Sequence, residues 1–113
     1  MKIYGIKTCD SVRKARKFMK ERGIDYEFID FRETPVDEET VDRWLEKVSV
    51  DTLFNKRGTT YRTLKLKELN LNDAGKKAWL AKENMLIKRP VITFDGKVII
   101  GYNESEYSDK LLH

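Results

Sequence analysis

One cysteine, Cys9, stands in the stretch Ile6-Lys7-Thr8-Cys9-Asp10-Ser11-Val12-Arg13, and it is the only thiol in the chain. The thiolate, not the thiol, is the nucleophile, so the question is whether this position favours the anion. Lys2 to Ile6 read as a strand, and the residues from Asp10 onward read as a helix. Cys9 then falls in the turn at a helix N-terminus. Unpaired backbone N–H groups and the positive end of the helix dipole stabilise negative charge there. Lys7 and Arg13 can add positive charge. Asp10 opposes them, less so if its carboxylate caps the helix and points away. The competing reading is a buried structural cysteine, because free cysteine is among the most buried residue types. Polar Thr8, Asp10 and Ser11 beside it favour the reactive reading. Three residues after Cys9 comes Val12 rather than a second cysteine. Composition therefore excludes an intramolecular disulfide, and any redox cycle needs a thiol from outside.

Two further stretches place cations where an anion could meet them. In Lys88-Arg89-Pro90-Val91-Ile92, the guanidinium of Arg89 offers a planar fork suited to an oxyanion or carboxylate. The plain alternative is a solvated surface arginine. Pro90 can open a strand without owing a ladder hydrogen bond. From sequence alone its peptide bond reads as trans, since cis is the minority form of X-Pro bonds. In Asn55-Lys56-Arg57-Gly58-Thr59-Thr60-Tyr61-Arg62, the cations Lys56, Arg57 and Arg62 accompany two threonines and a glycine. Such a loop can cradle an anion with N–H groups and hydroxyls. It can equally be an ordinary solvated loop.

These residues must be positioned by a chain of 113 residues, a length that suggests one domain spanning 1–113 with a core that needs no metal or disulfide. The only histidine is His113, and no Cys/His cluster suggests a metal site. The net charge is +4, from 23 basic and 19 acidic residues that are well mixed along the chain. A clustered basic stripe, the footprint of nucleic-acid binding, is missing. No stretch has the length and apolarity of a membrane span, and the first residues are too polar for a signal peptide. A protein of the reducing cytoplasm fits best, where a free cysteine is unremarkable.

The pattern along the chain alternates in period. Lys2–Ile6 reads as a strand and Asp10–Glu21 as a helix with Val12, Ala15, Phe18 and Met19 on its inner side. Gly23 stops that helix, and Tyr26–Phe31 reads as a second strand, parallel to the first after so short a return. Asp37 opens a helix whose apolar face is Val41, Trp44, Leu45 and Val48. Leu53–Leu64 reads as polar and irregular. Asn72-Asp73 opens a helix to about Asn84, with Ala74, Ala78 and Ala81 on one side. Val91–Phe94 and Lys97–Ile100 flank Asp95-Gly96, a hairpin signature. Asn103 and Glu106 form a capping-box pattern for a short last helix. The sum is an α/β fold, a thioredoxin-like four-stranded mixed sheet with flanking helices and a helical insertion between its two halves.

In combination these stretches resemble the ArsC/Spx family of thioredoxin-like proteins, which holds arsenate reductases, Spx regulators and YffB-like proteins. The carriers are Tyr4–Ala15 (YGIKTCDSVRKA), Asn55–Arg62 (NKRGTTYR), Ile87–Ile92 (IKRPVI) and Gly101–Tyr107 (GYNESEY), in order along the chain. The first two look closest to the YffB-like group, and the last is also similar to Spx. The resemblance implies that Cys9 is the catalytic nucleophile, that Arg89 lies near the thiol, and that Pro90 is cis. It implies glutathione as co-substrate and no metal. Lys7, Arg13, Lys56 and Arg57 are the other expected anion-binding residues. Arsenate reductases of the family carry an arginine near Asn55, another near Gly101 and a histidine shortly before the cysteine. This chain has Lys56 and Arg57 out of register, a glycine, and Ile6-Lys7-Thr8 in those places, so its arsenate cage is incomplete.

The expected function is a glutathione-dependent thiol reductase acting on a small oxyanion or a disulfide. The alternative is a Spx-like regulator that binds the RNA polymerase alpha subunit. It rests on Gly101–Tyr107, on Gly5 near the active turn and on the mixed-charge surface. A structural relic without chemistry is the third reading.

Overall fold

Ile3 lies beside Ile92, and Ile92 beside Ile99, in one cross-strand row of the central sheet. All three are at most 2% exposed, so alternation along each strand has sorted them onto one buried face. The sheet is seen in a computed structural model that describes residues 1–112. His113, the one histidine, lies outside the described residues. Strands β1 (Lys2–Gly5), β2 (Glu27–Asp30), β3 (Val91–Phe94) and β4 (Lys97–Ile100) lie in the order β2-β1-β3-β4. β1 and β2 are parallel, and β3 runs antiparallel to both β1 and β4. This is the thioredoxin-like mixed sheet expected from the sequence.

The chain divides into two compact units, the first made of Met1–Asp30 with the segment from Arg89 onward, the second of Phe31–Lys88. In the first unit, α1 (Asp10–Glu21) buries Val12, Ala15, Phe18 and Met19. It ends as its glycine requires: Gly23 takes φ +65°, its N–H reaches the Lys20 carbonyl, and the Ile24 N–H reaches Met19. The terminal helix α6 (Glu104–Leu111) adds Tyr107 and Leu111 to the same core over Ile3, Ile92 and Ile99. Arg22 ties the two helices together. Its guanidinium stacks 3.7 Å from the Phe18 ring centroid and lies 3.6 Å from Glu104. Asp95 and Gly96 both adopt positive φ, as the tight β3–β4 hairpin demands.

The second unit is helical. α2 (Glu38–Leu45) is capped by Asp37, which accepts from the Thr40 N–H and hydroxyl at 2.9 Å each. α5 (Asp73–Lys82) is capped by Asn72, which accepts from the Gly75 N–H at 2.8 Å. The alanine side of α5 is its outer one: Ala74 and Ala78 are exposed, while Leu80 is fully buried. Buried Asn84 closes this unit, accepting from the Val36 N–H at 2.8 Å and donating to the Leu80 carbonyl at 3.0 Å.

The stretch read as irregular is instead broken into short turns of helix. These are α3 (Val50–Leu53), α4 (Thr59–Thr63) and a 3-10 turn at Leu66–Leu69. None is long enough to show a helical period, and Ser49 supplies the cap of α3 by accepting from the Thr52 N–H.

Candidate active site

Ile6 to Cys9 form the turn that leads out of β1, closed by a hydrogen bond from the Cys9 N–H to the Ile6 carbonyl at 3.2 Å. Cys9 has extended backbone angles (φ −79°, ψ 129°) and is the N-cap of α1; its carbonyl accepts the first helical bond, from the Arg13 N–H at 3.0 Å. No side chain caps this helix. The N–H groups of its first turn therefore have no acceptor within the helix, and they gather at the residue that carries the sulfur. Cys9 is half-buried, open to a reagent yet held by its turn. The sequence expectation of a cysteine at the head of an open helix end is met in position.

Three groups fix the turn. Asp30, buried at the end of β2, accepts from the Lys7 N–H at 3.1 Å. Arg13 donates to the Thr8 carbonyl at 2.9 Å and pairs with Asp10 at 3.0 Å. Beneath them Gly5 meets Val12: a Cβ on Gly5 would stand 2.5 Å from Val12 Cγ2. Only a residue without a side chain lets α1 start so close to β1. Asp10 does not cap the helix; its carboxylate is spent on Arg13. Arg13 in turn braces the turn as much as it lends charge to it. The side chain of Lys7 is exposed.

The Arg89–Pro90 peptide bond is cis, as the family resemblance implied and against the bare sequence reading. β3 runs antiparallel to β1 with Val91 paired to Tyr4. Arg89 and Pro90, just before Val91, thus lie at the sheet end from which the Cys9 turn departs. Pro90 is buried and its carbonyl accepts from the Gly101 N–H at 2.8 Å. The Gly101 carbonyl accepts from the Tyr107 hydroxyl at 2.5 Å. Tyr107 is fully buried, with its ring edge-to-face on Phe18 and Tyr102, and burial first, then Glu106 and Tyr102, push its phenol far up from the ordinary value. Arg89 is half-buried; its Nε is a buried donor without an acceptor, while the residue has other interactions within the protein.

Lys56 and Arg57 belong to the second unit. Their loop is an Asx turn, with Asn55 accepting from the Arg57 N–H at 3.1 Å. Gly58 packs on Asn55, and Arg62 reaches back to the Arg57 carbonyl at 3.2 Å. Lys56 turns toward Asp51 at 3.9 Å. The loop's own donors are thus largely engaged in its fold. Asp30 was not singled out from the sequence, where an acidic residue closing an apolar strand was the available signal; Pro90, Gly101 and Tyr107 were named there, but not the hydrogen bonds that join them.

Among the described residues no group of three or more His, Cys, Asp or Glu could hold a metal ion. Among the described residues no helix is long and apolar enough to cross a membrane.

The model of the ArsC family matches residues 4–110. The chain belongs to the ArsC family. It is 40% identical over 106 residues to an uncharacterized protein of Haemophilus influenzae, with 93% of each chain covered. It is 30% identical to the regulatory protein MgsR of Bacillus subtilis, over 92% of this chain and 84% of that one. It is 29% identical to an arsenate reductase of Neisseria meningitidis, with 89% of each covered. Among solved structures, a YffB protein superposes with a TM-score of 0.90 at 32% identity, covering 97% of both chains. The chain is thus an arsenate-reductase-like member of a family that also includes a regulator.

Proposed function

We propose that the protein is a single-cysteine thiol reductase of the YffB-like branch, working in the cytoplasm as one domain over residues 1–113, with glutathione as co-substrate. The observation that carries this reading is Cys9 itself: the only thiol heads an uncapped helix, half-exposed, in a turn braced from three sides. The Cys9 thiolate attacks a sulfur of a disulfide or the central atom of a small oxyanion. With a disulfide, the new S–S bond forms as the distal thiolate leaves. With an oxyanion, oxygen leaves as water after protonation, and a glutathione thiolate then attacks the Cys9 sulfur. That releases the centre reduced by two electrons and leaves Cys9 joined to glutathione. In both branches an external thiolate next attacks the mixed disulfide and returns Cys9 as a thiolate. Arg89, at the sheet end from which the Cys9 turn departs, holds the anionic part of the substrate or the glutathione carboxylate, and Lys7 and Arg13 of that turn add positive charge.

The test is intact mass spectrometry after incubation with oxidised glutathione, then with reduced glutathione. One glutathione per chain is expected, removed by excess thiol, with catalytic turnover of a glutathionylated peptide that is absent from Cys9→Ser. A wild-type protein that remains unmodified, or one that forms the adduct but never turns over, refutes the reductase reading.

The similarity to MgsR supports a second reading, a regulator that contacts the RNA polymerase alpha subunit. Two features that suggested it now have structural work of their own. Gly5 is buried against Val12, and in Gly101–Tyr107 the glycine, Asn103 and Tyr107 anchor the last helix to the Pro90 loop. Capture of the purified alpha subunit at micromolar concentration would favour the regulator; its failure removes that reading.

A further inference from the structure

We infer that the second unit carries a site for a small amphipathic anion, an oxyanion head on an apolar body, in the cavity beside the Leu66–Leu69 turn. The cavity measures about 180 Å3. It suits a small ligand rather than a nucleotide or a peptide. Phe54, Leu66 and Leu71 supply its apolar lining, and the Tyr61 ring stands edge-to-face on Phe54 at 5.9 Å between centroids. Lys56, Lys67 and Lys76 join the lining together with Asn70.

The cationic charge there is in excess. Among the described residues Asp51 is the one carboxylate bonded to these lysines, 2.8 Å from Lys76 Nζ and 3.9 Å from Lys56 Nζ. Hydrogen bonding and charge from Lys76, then the charge of Lys56, hold the Asp51 carboxyl below its ordinary value, while Asp51 raises Lys76. Asp51 thus answers both lysines, and the charge of Asp73 adds to its effect on Lys76. Lys67 makes no ion pair among the described residues, and neighbouring Glu68 does not line the cavity. The charge of Lys67, without an ion pair, beside a lining to which Phe54, Tyr61, Leu66 and Leu71 belong is the arrangement that recognises an anion with a hydrophobic body.

The backbone of the rim is also unusual. Lys65 (φ 54°) and Asn70 (φ 46°) both adopt the left-handed conformation, one on each side of the turn that brings Leu66, Lys67 and Asn70 to the cavity. Non-glycine residues rarely take this conformation, and it persists where surrounding structure enforces it, often at ligand sites. Every lining residue belongs to the second unit and Cys9 to the first, so the inference does not rest on thiol chemistry.

Phenyl phosphate and benzoate, titrated at low salt into the 15N-labelled full chain, test it. Saturable shifts are expected at the amides of Leu66, Lys67, Asn70 and Leu71 with at least one probe. Inorganic phosphate and benzyl alcohol, which each lack half of the ligand, should bind weaker by on the order of tenfold. Lys67→Gln removes an exposed ammonium that the fold does not use, and it should weaken binding about three- to fivefold while leaving distant amides unmoved. No saturable shift at millimolar probe, shifts centred elsewhere, benzyl alcohol binding as well as the anions, or undiminished binding in Lys67→Gln would each overturn the inference.

Discussion

Gly5→Ala probes the contact that sets where α1 begins. The added Cβ would stand 2.5 Å from Val12 Cγ2, 3.4 Å from Cγ1 and 3.5 Å from Cβ. Carbon atoms pack best at about 3.5–4.0 Å, so the overlap with Cγ2 is about 1 Å. Val12 is 0% exposed, and a β-branched side chain in a helix keeps one favoured χ1 rotamer, so it has no room to swing aside. Either Val12 leaves its rotamer or the first turn of α1 lifts. Overpacking of this kind costs about 1–3 kcal/mol. Against it, alanine reduces the freedom of the unfolded chain, which stabilises by about 0.4–1 kcal/mol. The balance is a loss of about 1–2 kcal/mol, or a Tm lower by about 4–8 °C in a chain of this size. Urea unfolding should show a lower midpoint with an unchanged slope. In a Val12→Ala background the clashing methyl groups are gone. The same substitution should then stabilise by about 0.4–1 kcal/mol, and the coupling energy in the double-mutant cycle is the overpacking itself, about 1–3 kcal/mol. Because the contact positions the helix end that carries Cys9, the alkylation rate of Cys9 should change in Gly5→Ala and return in the double variant. An unchanged midpoint in Gly5→Ala, or an equal loss with and without Val12, refutes the reasoning.

Asp30→Ala removes the buried acceptor of the Lys7 N–H; a bond to a charged group is worth about 1.5–3 kcal/mol, and hydrogen exchange should show the Lys7 amide losing protection first. A Lys7 amide that stays protected would show that another group holds the turn. Tyr107→Phe leaves the Gly101 carbonyl without its phenol donor and should cost about 1–2 kcal/mol in urea unfolding at constant slope; a cost near zero would mean the hydroxyl is not needed to hold the Pro90 loop. The Asp37 carboxyl is held below its ordinary value of 3.8, first by the Thr40 N–H and then by its hydroxyl. Its contribution is therefore complete above that value and is lost as pH falls through the lowered native one. Asp37→Asn keeps a capping oxygen but cannot titrate, so its Tm should fall less steeply than wild type between pH 5 and pH 2, and parallel curves would refute the assignment.

The sheet was legible because its signals are local. The hairpin at Asp95-Gly96, the stop at Gly23 and the caps at Asp37, Asn72 and Asn103 each depend on one or two residues whose chemistry has few alternatives. The run from Leu53 to Leu64 was not legible, because four- and five-residue helices carry no period and gain their stability from contacts such as Asn55 N–H to Leu86 carbonyl, 31 positions away. Cys9 and its helix end were visible as a type of residue in a type of place. The braces of its turn were not, since Asp30 meets Lys7 only through the parallel pairing of β1 and β2. The cis state of Pro90 was visible only through family resemblance, and the partners of its carbonyl chain, Gly101 and Tyr107, lie after β4 and in α6.

Val12 answers two questions at once. Its type removes the partner thiol that a dithiol cycle would use at that position, so the redox cycle proposed for Cys9 depends on an external reductant. Its packing shows that the position is occupied for a structural reason as well: the side chain is fully buried and rests on Gly5. The charges about the thiol sort in the same way. Arg13 pairs with Asp10 and donates to the Thr8 carbonyl, so much of what these two charges do is to brace the turn. What remains on the side of the anion is backbone: the open N–H groups of a helix that no side chain caps, held close to β1 because residue 5 has no Cβ. The reactivity proposed for Cys9 thus rests on the path of the main chain more than on the cations that first drew attention to the stretch. Neutralising Lys7 or Arg13 by mutation is for that reason a weaker probe of the mechanism than lifting the helix with a methyl group at Gly5.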